Sequence, residues 1–284
     1  VSNAVILGVL FILVGMLFKL SAAPFHFWAP DVYEGAPTSV TAFFAIVPKI
    51  AVLSLVVRLF SLVFHTLLLP WQEVLILCSV LSMVIGTLGA LSQNKIKRLL
   101  AYSGIGHIGY MLVGISAGSV EGTYATFFYA IVYTVMTAAT FSILLSIRRQ
   151  GNLSKLKYLS DLSGLFSSNP QLAFSFALVM FSMCGVPPLA GFFSKMFVFI
   201  AAVNVEMYSL AIVGVVTSVV ASFYYIRIVK LMFFDPKTQV NNLNVLSKEN
   251  SLFLSFCCIF LTTFFLWPTP TALALHNSVV HFCV

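Results

Sequence analysis

Lys19, Lys49 and Lys195 lie inside long apolar runs, and His107 lies in a fourth run, within Ala101-Tyr-Ser-Gly-Ile-Gly-His107-Ile-Gly-Tyr110. A charged lysine at mid-bilayer costs at least about 2.5–3.5 kcal/mol. No carboxylate falls well inside any of these runs to pair with one. A buried amine is a basic site whose hold on a proton depends on what wets it, which is what a proton relay needs. Histidine titrates near physiological pH and suits the same task, although a lone helical histidine also serves as a hydrogen-bonded packing residue. Lys19 is near enough to the end of its run to snorkel to the interface. Lys49, directly after Pro48, and Lys195 are too deep for that. Arg58, near the end of its run, is placed to reach headgroups.

The elements that must position these groups are membrane helices. Of 284 residues, 60% are hydrophobic and only 8% charged, and the mean hydropathy is +1.04; an ordinary soluble domain carries about 25% charge. This excludes a cytosolic enzyme, a nucleic-acid binder and a disordered chain. At about 20 apolar residues per span, the chain has enough for about eight. The runs fall at 4–23, 38–64, 72–92, 97–117, 122–147, 171–203, 207–230 and 251–274. The predicted fold is all-α, a polytopic transmembrane helix bundle.

Charge supports an even count. Lys95, Lys97, Arg98, Arg148, Arg149, Lys155, Lys157, Arg227, Lys230, Lys237 and Lys248 all fall on one side, 11 of the 15 basic residues. The opposite connections hold Glu73, Glu121 and Glu206 and no lysine or arginine. The net charge of +7 therefore reads as loop charge that sets orientation, with the basic side in the matrix or cytoplasm.

Two runs are interrupted in a related way. The first passes into Lys19-Leu-Ser-Ala-Ala-Pro24-Phe-His26, and the sixth is broken by Cys184-Gly-Val-Pro187-Pro188-Leu-Ala-Gly191. Proline inside a span frees carbonyls, which only protein or a wet cavity can satisfy. Being five runs apart, the two cross in opposite directions. This points to an antiporter-like inverted repeat with two broken helices and an ion path near the breaks; two ordinary proline kinks are the alternative. Residues 1–70 would then end a first repeat, 71–235 form a second, and 236–284 add a loop and a terminal helix.

Other features carry less chemistry. Cys78, Cys184, Cys257, Cys258 and Cys283 form no C-x-x-C pair and are expected to pack, not to hold iron–sulfur or zinc. No dinucleotide or P-loop pattern occurs. In the loop Pro24 to Thr38, Trp28 and Tyr33 are expected at the membrane interface, and Asp31 and Glu34 are expected to cap the next helix, with acceptors at a proton entrance as the alternative. The chain starts at Val1 inside an apolar run without a signal-peptide pattern. A removed presequence, or the later part of a longer or split polypeptide, would account for that.

Four stretches carry a resemblance. They are Phe18-Lys19 through Pro37-Thr38, Lys97 through Ser103 with Gly106 to Tyr110, Gly185 to Lys195, and Val216 to Ser218 with Tyr224 to Arg227. In order and over nearly the whole chain, they resemble the antiporter-like membrane subunits of respiratory complex I. The mitochondrial versions of plants and protists look most similar. In that family of fourteen helices, the eight runs match helices seven to fourteen. The resemblance implies a proton relay through a central axis of lysines, matched here by Lys19, Lys49 and Lys195, with His107 as a further relay. It implies a mitochondrial inner-membrane subunit of a proton-translocating NADH:ubiquinone oxidoreductase. The other membrane-arm subunits would be its partners, lipids its surroundings, and nucleic acid no ligand. It implies no cofactor on this chain, since NADH, FMN, iron–sulfur clusters and ubiquinone belong to other subunits. The family's glutamate lies on an earlier helix that this sequence lacks, so the resemblance implies either a separate chain that supplies it or its absence, in which case this subunit would not pump. A cation/proton antiporter subunit, or a non-conducting structural piece of the arm, are the alternatives.

Overall fold

The structure is a computed structural model and describes residues 3–147, 157–236 and 248–264. Arg148, Arg149, Lys155, Lys237, Cys283 and positions 265–274 of the eighth run lie outside the described residues. Those described form helices and no strand, as a bilayer requires when every backbone group must find its partner within its own segment. The helices are α1 (Asn3–Leu20), α2 (Trp28–Gly35), α3 (Thr38–Arg58), α4 (Leu68–Leu91), α5 (Ile96–Ser116) and α6 (Val120–Ser146). After them come α7 (Leu165–Ser168), α8 (Pro170–Cys184), α9 (Ala190–Asn204), α10 (Tyr208–Phe233) and α11 (Lys248–Thr263).

Six of these are long and apolar enough to cross a membrane, the second run, α3, extending through a π-helical turn to Val63. The sixth run is split into the shorter α8 and α9. The eighth is described only as the 16 residues of α11. α5 stands at the centre, buried along nearly its whole length, whereas α1 exposes most of its surface.

Loop contacts reproduce the sidedness read from charge. Lys95 and Arg98, at the start of α5, pair with Glu34 at the end of α2. Ile96 N donates to Lys157 O, and Arg227 to Asn94 Oδ1. At the other end, Asn204 Nδ2 donates to Glu121 Oε2 at 2.7 Å and Gln72 Nε2 to Ser116 O at 2.8 Å.

Both expected breaks are present. α1 stops at Leu20, and Ala23 N then donates to the buried Ser82 Oγ of α4 at 2.8 Å. α8 opens with Asn169 capping Leu172 N and Pro170 in its first turn. It closes on Gly185 in the left-handed region, φ 89°.

Two expectations for the first loop change. Asp31 and Glu34 do not cap α3, whose N-cap is Pro37 without a side-chain bond; they face Arg98 and Lys95 instead. The nearby cations give the carboxylates a partner that a neutral helix start cannot match. Tyr33 is buried rather than interfacial. Pro48 has no N–H for the Phe44 carbonyl one turn earlier, and the Tyr33 hydroxyl donates to that oxygen at 3.2 Å. Trp28 is half-buried and donates to Phe18 O across the first break.

Candidate functional site

α3, α5, α6, α9 and α10 bring Lys49, His107 and Lys195 into one buried cluster. Their residues are 3%, 3% and 6% exposed. Each charge is met by phenols, hydroxyls or carbonyls, with no acidic partner among the described residues.

The Lys49 ammonium donates to the Tyr133 hydroxyl at 3.3 Å. It also stands 5.5 Å from the Tyr133 ring centre and 5.8 Å from that of Tyr33, where the negative ring faces stabilise a cation. The proline that precedes Lys49 leaves the Phe44 carbonyl free for Tyr33, so one residue both removes a helical hydrogen bond and helps to surround the charge.

His107 is held at both nitrogens. Nδ1 lies 2.8 Å from the Tyr129 hydroxyl and Nε2 lies 3.0 Å from that of Tyr225. Tyr225 is in turn hydrogen-bonded to Ser103. Tyr129 and Tyr133 are one turn apart on α6 and so share a face, and the Tyr133 ring packs on the imidazole at 5.3 Å.

Lys195 shows why α8 and α9 are separate. Its Nζ donates to the carbonyls of Cys184 at 2.9 Å and Met183 at 3.3 Å. These oxygens end α8, where the helix dipole is negative. A Cβ on Gly185 would lie 3.2 Å from Lys195 Cδ and 3.3 Å from Nζ, so glycine serves both the backbone turn and the close approach. Lys195 also lies 5.3 Å from the Tyr110 ring centre, and Tyr110 hydrogen-bonds to Thr217 at 3.2 Å.

Lys19 is not part of this cluster. It sits in the last turn of α1 on an exposed side, and no hydrogen bond or ring contact joins it to the other three among the described residues. Sequence reasoning gave no role to Ser103, Tyr110, Tyr129, Tyr133, Thr217 or Tyr225. The available signal was the tyrosine pair one turn apart in an apolar run, because a buried phenol needs a partner. Among the described residues no group of three or more His, Cys, Asp or Glu side chains has metal-binding geometry. Cys78 and Cys257 are buried free thiols.

Apolar helices, one of them split so that its carbonyl end meets a buried lysine, and a central cation cluster define an antiporter-like polytopic membrane protein. The sequence pattern of the NADH:quinone oxidoreductase/Mrp antiporter transmembrane family matches residues 1–221. The chain belongs to that family. Among its relatives, NADH-ubiquinone oxidoreductase chain 2 of Marchantia polymorpha is 48% identical over 284 residues, all of this chain and 57% of the relative. NADH-quinone oxidoreductase subunit N of Rhodospirillum rubrum is 51% identical over 239 residues, 84% of this chain and 49% of the relative. The chain thus spans about half the length of the curated relatives it matches. A chain in the respiratory complex I of Thermus thermophilus with bound aureothin has a TM-score of 0.77 and 34% identity, over 93% of this chain and 57% of that one. The Mrp complex of a Dietzia species has a chain with a TM-score of 0.86 over 99% of this chain and 59% of that one; its 22% identity speaks for the fold alone.

Proposed function

We propose that this chain is a proton-translocating membrane-arm subunit of a mitochondrial NADH:ubiquinone oxidoreductase, and that Lys49, His107 and Lys195 relay the proton. The observation that carries the reading is the burial of two lysines without carboxylates, each beside hydroxyls or carbonyls that can accept its proton or stabilise its charge. A proton on one lysine raises the free energy of a proton on its neighbours, because like charges in a weakly screened interior repel. Redox-driven charge at one end of the row can therefore push a proton along it. Electron transfer, with NADH, FMN, iron–sulfur clusters and ubiquinone, falls to other subunits.

Lys19 belongs to the same relay in this reading, at a junction with helices from another polypeptide. Its support is the exposure of α1, where Leu7, Phe11 and Phe18 lie on the surface around the lysine's helix. Residues 1–70 would close one repeat with that partner, and 71–235 would form the other. A map of the assembled complex should find further helices on α1 and a carboxylate beside Lys19; α1 facing lipid there would refute the split arrangement.

The test is proton flux per NADH in inner membranes carrying Lys49→Met or Lys195→Met, with a native gel to establish assembly. Both variants should lower flux and coupled NADH oxidation together. Full flux in both, with intact assembly, leaves the chain a structural role. Copurification with flavin and iron–sulfur subunits separates this reading from a free-standing cation/proton antiporter.

A further inference from the structure

Where α2 ends and α3 and α5 begin, the chain encloses a cavity of about 670 Å³. Its wall carries Lys95, Lys97, Arg98 and Lys157 against two acids, Asp31 and Glu34. Both acids are engaged, Glu34 by Lys95 and Arg98, and Asp31 by Arg98 at 3.4 Å. Four cations against two acids leave an excess of two positive charges. The Lys97 ammonium donates to the neutral Ala36 carbonyl at 2.7 Å, and Lys157 forms no ion pair among the described residues. A third acid nearby, Asp161, is not in the wall and accepts from the backbone N–H groups of Lys157 and Tyr158.

Orientation in the bilayer accounts for basic residues on this side of the membrane, but not for their gathering around one cavity. Like charges held this close repel unless something negative lies between them. The local helix adds to the same field. Lys95 is the N-cap of α5, and its first turn holds Lys97 and Arg98 and no acid. That is the positive end of the helix dipole, where cations are disfavoured.

We propose that this cavity binds a phosphate-bearing anion, with Lys97 and Lys157 as its main partners. A phosphate group carries about −1.5 to −2 at neutral pH when singly esterified, which matches the excess in the wall. Ammonium groups suit its oxygens as point charges, and Tyr158, also in the wall, carries a hydroxyl that can donate to a further one. The volume falls within the roughly 300–1,000 Å³ of small-ligand sites. The two sides of the cavity are fixed to each other by backbone. Ile96 N donates to Lys157 O at 3.1 Å and Leu159 N to Asn94 O at 2.9 Å, around an antiparallel bridge between Lys95 and Tyr158. The cations are thus in place before a ligand arrives, which lowers the cost of binding. Two sources offer phosphate at this level. One is the headgroup of an anionic phospholipid, since basic cavities between spans on this side take such headgroups. The other is free phosphate in the aqueous phase.

The intact complex that contains this chain tests the site and separates the sources. It is embedded in discs of phosphatidylcholine, with and without added inorganic phosphate, and in discs that also contain phosphatidylglycerol, then imaged by high-resolution electron microscopy. A phosphate-sized peak beside Lys97 or Lys157 is expected. Its appearance only with inorganic phosphate assigns a soluble anion, and its appearance with either lipid assigns a headgroup. In the sample that shows the peak, the heat-inactivation midpoint should rise with the concentration of that probe. Lys97→Gln with Lys157→Gln keeps most of each stem and removes both charges. It should shift that dependence to higher concentration, about tenfold for each lysine, as loss of a charge-assisted hydrogen bond implies. If the double variant does not assemble, Lys157→Gln alone decides, because its ammonium holds no ion pair. An empty cavity in every map, an acidic side chain of another subunit seated in it, or equal probe dependence in wild type and variant overturns the proposal. None of these readouts involves proton flux, so the lysine relay stands or falls separately.

Discussion

The hydroxyl of Tyr33 donates to the carbonyl of Phe44, the oxygen that Pro48 leaves without its helical partner. α2, lying outside the spans, is thereby pinned to the one turn of α3 that presents Lys49. Tyr33→Phe removes the donor and keeps the ring near the ammonium. A buried carbonyl without a partner costs about 1–3 kcal/mol. The variant should lower the heat-inactivation midpoint of the complex while retaining most of its proton flux.

Gly185→Ala should be more damaging. Its φ of 89° costs a residue with a Cβ about 1–2 kcal/mol, and that Cβ would crowd the Lys195 side chain. Reduced assembly on native gels, and reduced flux in whatever assembles, are the expected outcomes. A fully assembled, fully active variant would show that the turn between α8 and α9 does not set the position of Lys195.

His107→Gln should impair flux less than either lysine variant, because an amide or a short water chain can stand in for a neutral relay. Tyr129→Phe and Tyr225→Phe each remove one of the two groups that orient the imidazole. Both should reduce flux in an assembled complex, Tyr225→Phe more strongly, since its hydroxyl also bonds Ser103. Equal and full activity in the two would mean that the imidazole needs no orientation.

The charged tie between α2 and α5 has its own pH signature. Lys95, and behind it Arg98, holds the Glu34 carboxyl below its ordinary value of 4.5. A lowered folded-state value means that the stabilisation is complete above the ordinary range and is lost as the pH falls through the lowered one. The pair is partly exposed, so its contribution stays within about 1 kcal/mol. Glu34→Gln should lower the heat-inactivation midpoint slightly at neutral pH. The two proteins should converge as the medium is acidified below the ordinary carboxylate range.

Charge inside an apolar run marks Lys49 and Lys195 for burial, because few arrangements tolerate an ammonium in hydrocarbon. Proline and glycine marked the two breaks for a similar reason. The phenols around the lysines were not legible. Tyrosine is at home both in cores and at membrane interfaces, and the pairings Lys49–Tyr133 and His107–Tyr225 join residues 84 and 118 positions apart. Tyr33 misled for that reason: its sequence position suited the interface, and only the three-dimensional path of α2 carried it to Phe44. Asp31 and Glu34 stood near a helix start, but the cations of α5 were closer in space than along the chain. Lys19 carries the same local signature as the other two lysines, yet it lies on the exposed side of α1.

A cavity of about 10 Å³ beside Gly104, with Ser103, Tyr133, Thr137 and Thr140 in its wall, bears on ion selectivity. A sodium or potassium ion enters a dry interior only where several oxygens replace its hydration shell. About 10 Å³ between a few hydroxyls cannot supply such a shell, and the neighbouring ammonium repels any metal cation. A proton needs none of this room, because it advances by exchange of O–H and N–H bonds between groups already in contact. On the proposed relay, such a constriction would tell protons from alkali ions by size and coordination.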